Sequence, residues 1–223
     1  MKSKSKFYPS NRGLFITFEG SEGCGKSTQI RRLATRLHRL GYKVIVTREP
    51  GGTLIGERIR HLLKFSKFNH RMVPETELLL FSASRAQLVR EKILPALQRG
   101  DIVLCDRFVD STTVYQGVAR RLDLSLIIQL NKFVIAERKP DLTLILDLDP
   151  EQGLARARKK TKIVDRMEMQ HRSFYQTVRR GFRNLSRYEP QRIKFIDASV
   201  PMKEASETIW KQVQSKLLKY RRY

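Results

Sequence analysis

The sequence predicts an α/β fold, one parallel sheet flanked by helices on both faces. Three observations carry this. Short, apolar and largely β-branched runs recur along the 223 residues. Longer stretches with helical periodicity separate them. The first run leads at once into a glycine-rich turn that opens a helix.

In chain order the expected strands are Leu14 to Phe18, Lys43 to Thr47, Ile102 to Cys105, Leu142 to Asp147 and Ile193 to Ile196. Their near-continuous apolar character suits strands covered on both sides. After the first strand, Ile30, Leu33, Ala34, Leu37 and Leu40 recur at i, i+3, i+4, i+7, and Gly41 supplies the stop. Phe81 and Arg85 stand four apart on a predicted helix, hence on one face. Thr112, Tyr115 and Gln116 share the same relation after the third strand. Asp149-Pro150-Glu151 reads as a helix start: a capping side chain, proline in the first turn and a carboxylate at the positive dipole end. Ile209, Trp210, Val213, Leu217 and Leu218 mark the closing helix. With no repeat and no Gly/Ser/Pro linker, the expectation is a single domain over 13–223, preceded by a basic, disordered arm at 1–12.

Composition narrows the function. The apolar runs fall far short of the ~18 residues that a membrane span needs, and the first twelve residues hold no apolar stretch of the signal-peptide kind. Two cysteines make no disulfide framework, and no Cys/His cluster has zinc spacing. A reducing, cytoplasmic setting is expected. The net charge is +23, and residues 156–192 hold twelve Lys/Arg against Asp165, Glu168 and Glu189. Such a balance attracts polyanions, nucleic acid and phosphorylated small molecules alike. No zinc-finger spacing, basic repeat or aromatic-basic motif accompanies it, so nucleic-acid binding is expected only as non-specific charge attraction.

The decisive pattern is Gly20-Ser21-Glu22-Gly23-Cys24-Gly25-Lys26-Ser27, followed by Thr28. It fits G-x-x-x-x-G-K-[ST] between a strand and a helix, the context that gives the motif its meaning. Glycines let successive N–H groups turn inward around a phosphate, and the helix N-terminus adds positive potential. Lys26 is expected to bridge the β- and γ-phosphates of ATP, and the Ser27 hydroxyl to ligate Mg²⁺. Asp106 and Arg107 follow the third strand, so they face the same edge of the sheet. A carboxylate there can hold Mg²⁺ or orient the attacking oxygen, and the arginine can neutralise a second phosphate. Arg48 and the rigid Glu49-Pro50-Gly51-Gly52-Thr53 turn share that edge. Phe81 offers a stacking surface beside the Arg85 donor, although phenylalanine alone reads more simply as core. Cys24 and Cys105 have no histidine base beside them and read as small space-fillers.

Phe18-Glu-Gly-Ser-Glu-Gly-Cys-Gly-Lys-Ser-Thr28, Thr47-Arg-Glu-Pro-Gly-Gly-Thr53, Leu79-Leu-Phe-Ser-Ala-Ser-Arg-Ala-Gln87, Asp106-Arg-Phe, Ser111-Thr-Thr-Val-Tyr-Gln-Gly117 and Pro140-Asp-Leu-Thr-Leu-Ile-Leu-Asp147 occur in that order. Together they resemble the thymidylate kinase family over about residues 13–215. The resemblance implies a nucleoside monophosphate kinase fold with a five-stranded parallel sheet and a mobile lid at about 153–166. It implies transfer of the γ-phosphoryl of MgATP to dTMP, giving dTDP and ADP, by a cytoplasmic homodimer. On this reading Phe81 stacks on thymine and Arg85 bonds its carbonyl edge. Arg48 and Arg107 hold the dTMP phosphate, while Glu22 sits near the sugar 3′-hydroxyl and Mg²⁺. Tyr115 crowds the 2′ position, Thr112 and Gln116 border the base, and Asp106 acts on the metal and the attacking oxygen.

One branch of the family carries an arginine in the phosphate loop. Here that position is Gly23, so the lid should supply the charge over the γ-phosphate, as in the bacterial type. Arg156, then Arg158, are the candidates; both cannot face the phosphate from one helix, because i and i+2 point apart. The bacterial lid usually carries an arginine near Lys160, where a lysine offers only a point charge. Asp165-Arg166-x-Glu168 is expected to anchor the edge of the lid.

Overall fold

The computed structural model describes residues 13–160, 166 and 170–220, the side chains at 160, 219 and 220 excepted. The basic arm therefore lies outside the described residues. Five strands form one sheet: β1 (Leu14–Glu19), β2 (Val44–Arg48), β3 (Ile102–Asp106), β4 (Leu142–Asp147) and β5 (Ile193–Asp197). Their order is β2-β3-β1-β4-β5, and every pairing is parallel. β1, β2, β3 and β5 each reach one residue beyond the expected end. The ladder continues past the last apolar residue, pairing Arg48 and Phe18 with Asp106 and Asp147 with Asp197. Polar residues thus remain in the sheet at the edge where a ligand would gather. β2 departs from the fully covered expectation, since Val46 is half exposed on this edge strand.

Helices cover both faces. On one, α1 (Lys26–Arg39) and α9 (Met202–Tyr220) bury Ile30, Leu33, Leu37, Ile209 and Val213 against Leu14, Ile16 and Phe18. On the other, α3 (Pro74–Leu88) runs through a π-helical turn at Val89–Ile93 into a short continuation at Leu94–Gln98, packing Leu88, Val89 and Ile93 on Phe15 and Val103. A helical turn at Val109–Thr112 passes into a wide π-helical stretch at Thr113–Ala119. That stretch meets a long helix, Arg172–Tyr188, through Val114, Tyr115, Val178 and Phe182.

Two expected core positions turn outward. Leu40 caps α1 and is 51% exposed, because the chain folds back at Leu37, whose carbonyl receives the Tyr42 N–H. Leu218 is 62% exposed beside buried Leu217, neighbours in a helix facing different ways. The start at Pro150 holds as expected: the helix Pro150–Lys160 opens with the Asp149 carboxylate accepting the Glu151 N–H at 3.0 Å.

Candidate active site

A cleft of about 970 Å³ runs along the carboxyl ends of the strands. Its floor is the phosphate loop. Gly20, Gly23 and Gly25 have φ of 127°, 68° and 95°, a region that side chains disfavour, and this lets the loop curl on itself. Lys26 lies beneath it, donating to the carbonyls of Gly20 at 3.1 Å and Ser21 at 2.8 Å and reaching the Cys24 thiol at 3.6 Å. Thr28 lines the cleft beside Ser27. The Ser27 hydroxyl donates to Asp106 Oδ2 at 2.9 Å, so two oxygen ligands stand together. No group of three or more His, Cys, Asp or Glu able to hold a metal occurs among the described residues. That pair suits Mg²⁺, which takes one or two protein oxygens and completes its shell with phosphate and water.

Arg107 is the hub of the site. Its backbone is left-handed at φ 71°, and its Nη1 donates to the Gly20 carbonyl at 2.9 Å and to Ser111 Oγ at 3.2 Å. Nη2 pairs with Glu22 at 2.7 Å, and the guanidinium lies 5.2 Å from the Tyr115 ring centre. Burial would raise the Glu22 carboxyl, but Arg107, then Lys26 and Lys64, outweigh it and hold the group down at about 2. Glu22 is therefore an anion at any physiological pH.

Glu19, an unassigned residue in the sequence, supports this hub from below. It is fully buried, accepts the Phe108 N–H at 2.7 Å and meets Ser111 Oγ at 2.5 Å. Burial, then the nearby Asp110, push its carboxyl up to about 8. Asp110 in turn is held by Arg192 at 2.7 Å and by Thr143 at 2.9 Å.

At the far end, Phe81 lines the cleft while Arg85, only 1% exposed, lies deeper. Arg85 Nε donates to both Glu49 oxygens, at 3.0 and 2.8 Å, Nη1 to Asn131 at 3.1 Å, and Nη2 to Thr112 at 2.8 Å and the Phe108 carbonyl at 3.3 Å. A guanidinium has five N–H groups, and one of the two on Nη1 meets no acceptor among the described residues. Tyr115 and Gln116 line the same wall. Gln116 is oriented by buried Glu77 at 2.7 Å, and Glu77 also binds Arg120 and Arg166. Arg166 further donates to the Met72 carbonyl at 2.9 Å; Asp165 and Glu168 lie outside the described residues.

The remaining expected residues divide. Arg48 lines the cleft but is half exposed and paired with Glu57 at 3.0 Å. Arg156 lines it too, its Nη1 3.4 Å from the Ala198 carbonyl. Arg158 is exposed and absent from the cleft wall, whereas Lys159 belongs to that wall. The Lys160 side chain lies outside the described residues. Sequence reasoning missed Arg60, Lys64, Asn131, the pairing of Glu49 with Arg85, and the wall formed by Ala198 to Met202. The last of these follows β5, so the rule that ligands gather at carboxyl ends could have found it. Cys24 and Cys105 are both free and buried, and burial pushes the Cys105 thiol up, away from reactivity.

Comparison with known proteins decides the lineage. The sequence pattern described as thymidylate kinase matches residues 18–209. The chain belongs to the thymidylate kinase family. It is 47% identical to the thymidylate kinase of Syntrophotalea carbinolica over 202 residues, 88% of this chain and 93% of that one. Against the thymidylate kinase of Geobacter sulfurreducens it is 50% identical over 192 residues, covering 84% and 90%. A crystal structure of thymidylate kinase from Ehrlichia chaffeensis superposes with a TM-score of 0.73 at 38% identity, over 91% of this chain and 98% of that chain. Membership of the thymidylate kinase family makes the chain a nucleoside monophosphate kinase, a phosphotransferase acting on dTMP with the sheet and helices of that fold. Among the described residues no helix is long and apolar enough to cross a membrane.

Proposed function

We propose that the chain binds ATP along the phosphate loop and dTMP toward Phe81 and Arg85, and transfers the γ-phosphoryl in line to the dTMP phosphate. The observation that carries this reading is the position of Arg107. It links the phosphate loop, through the Gly20 carbonyl and Glu22, to Ser111 and Tyr115 on the facing wall of the cleft. An arginine between two phosphate sites neutralises charge as the transfer proceeds.

Lys26 and the loop amides hold the β- and γ-phosphates. Ser27 and Asp106 would hold Mg²⁺, which would supply positive charge to offset that of the phosphates. Arg107 and Arg48 hold the acceptor phosphate. Arg48 exchanges Glu57 for it, a small cost because exposed pairs contribute little. Glu22 takes the sugar 3′-hydroxyl, and Tyr115 closes the 2′ side against a ribose. Phe81 stacks on the base, the last Arg85 N–H meets a thymine carbonyl, and Thr112 and Gln116 bound the ring. Arg156, from the 153–166 lid, stabilises the charge on the transferring group, with Arg158 and Lys160 as the alternative candidates in that segment.

The test is MgATP-dependent diphosphate formation across dTMP, dUMP, dCMP, dAMP, UMP and thymidine, with Lys26→Ala as control. We expect the highest kcat/KM on dTMP, none on thymidine, and loss of about two orders of magnitude or more in the control. A preference for another monophosphate sinks the base-site reading. No turnover on any of them sinks the activity and favours a polyanion-binding role.

The same reading includes a homodimer in the cytoplasm, a reducing compartment that suits two free thiols. Support for the dimer comes from an apolar face in water. Leu54 and Phe65 on α2 (Leu54–Phe65), Leu79 on α3, and Leu126 and Phe133 on α6 (Leu124–Val134) are 49–89% exposed, with α2 packed on α3 and α3 on α6. Several large apolar side chains left in water on adjoining helices suit an association surface. Sedimentation should give twice the 26.1 kDa chain mass, and Leu126→Glu with Phe133→Glu should give monomers. A monomeric parent chain refutes it.

A further inference from the structure

We infer that Gly153 is a positioning residue for phosphoryl transfer: its missing side chain lets α7 (Pro150–Lys160) sit directly on the phosphate loop and so sets where Arg156 stands. This rests on the role given to Arg156 under Proposed function. Gly153 occupies the first turn of α7 and is buried in a helix whose neighbouring residues are mostly exposed. Glycine is a poor helix former, and nothing in the local helix calls for it, since its φ is not left-handed. A residue that violates local preference answers to packing.

The packing is backbone on backbone. A Cβ on Gly153 would overlap the Glu22 carbonyl oxygen and lie 3.7 Å from Ser21 Oγ. A Cβ on Gly23 would overlap the Gly153 carbonyl oxygen and lie 2.7 Å from its carbon. Gly23 and Gly153 thus need each other bare. The contact also has a direction. Residues 153, 156 and 157 stand at i, i+3 and i+4, hence on one face, and Arg156 and Ala157 both line the cleft. Arg158, off that face, is absent from the cleft wall, which Lys159 joins three residues beyond Arg156. The base of α7 is fixed independently, with Arg179 on Asp147 at 2.6 Å and on Asp149 at 3.4 Å. With the base held and the first turn resting on the loop, Arg156 has one place to be. A side chain at 153 lifts the helix off Glu22 and moves Arg156 away from the transferring group.

The experiment compares kcat, KM for dTMP and thermal stability for Gly153→Ala, Arg156→Ala and the double variant, with exposed Ala155→Gly as control. We expect Gly153→Ala to lose about 10-fold or more in kcat, with KM for dTMP within twofold and the melting temperature little changed. In the Arg156→Ala background it should cost nothing further, because the residue it positions is gone. Full kcat in Gly153→Ala overturns the inference, as does a double variant in which the two losses multiply. So does an equal loss in Ala155→Gly, which would assign the effect to helix propensity. If Arg156→Ala alone keeps full kcat, the role of Arg156 fails instead, and with it what Gly153 would position. Should Gly153→Ala fail to fold, Gly23→Ala meets the same contact from the loop side and must show the same non-additivity.

Discussion

Arg107→Lys should lower kcat/KM for dTMP by about 10²–10³ while leaving KM for ATP within a few-fold. The charge survives this change, so the effect isolates the fork. Arg107 uses separate nitrogens for the Gly20 carbonyl and Glu22, at 2.9 and 2.7 Å, and its Nη1 also reaches the Tyr115 hydroxyl at 3.4 Å. A lysine is a single point with no rigid plane, and it cannot hold Glu22 and a phosphate in fixed relation. The backbone adds a second reason. A non-glycine residue at φ 71° persists only where its surroundings enforce it. Here the Arg107 N–H is tied to the Phe18 carbonyl at 2.9 Å and the next N–H to Glu19 at 2.7 Å. The position is thus rigid before any ligand arrives, which is what a group acting on a transition state requires. Steady-state kinetics with each substrate varied decides it. A loss below threefold would mean that the charge alone suffices.

Arg85→Met should lower stability by about 3–5 kcal/mol, because it strands the Glu49 carboxylate in the interior. Arg85 and Glu49 form an ion pair at 2.6 Å with side chains 1% and 2% exposed. Burial pushes the Glu49 carboxyl above its ordinary range even against the opposing Arg85, a direct sign of the desolvation that the pair withstands. For a chain of this size the loss corresponds to a fall of about 6–20 °C in melting temperature. Adding Glu49→Leu removes the stranded charge and should return most of that stability, since apolar replacements of buried pairs are commonly neutral. It should not return binding. Both the single and the double variant lack the N–H proposed for the thymine carbonyl, so KM for dTMP should stay raised by about tenfold in each. Thermal melts and KM measured on the same preparations separate the two effects. Recovery of KM in the double variant would show that Arg85 serves the fold and does not read the base.

Much of this was legible in the sequence because the signals were local. The loop from Gly20 to Ser27 announces itself by glycine spacing and by its place between a strand and a helix. Asp106, Arg107 and Arg48 were found by a topological rule, and the structure brings all three to one cleft. Phe81 and Arg85, four apart on a helix, do share that cleft, though they stand at different depths. Other features depend on residues far apart in the chain. Glu77 and Gln116, 39 positions apart, meet only after folding. Arg85 has Glu49 and Asn131 as partners from 36 and 46 positions away, and no spacing rule links them.

The sequence by itself determined the parallel sheet, the phosphate loop and the carboxyl-edge site, because strand and helix periodicity and glycine spacing are properties of neighbouring residues. Tertiary structure alone decided which charges are partnered, how deep Arg85 lies, and that Gly23 and Gly153 touch. Burial and backbone contact depend on distances across the fold, which the order of residues along the chain does not state.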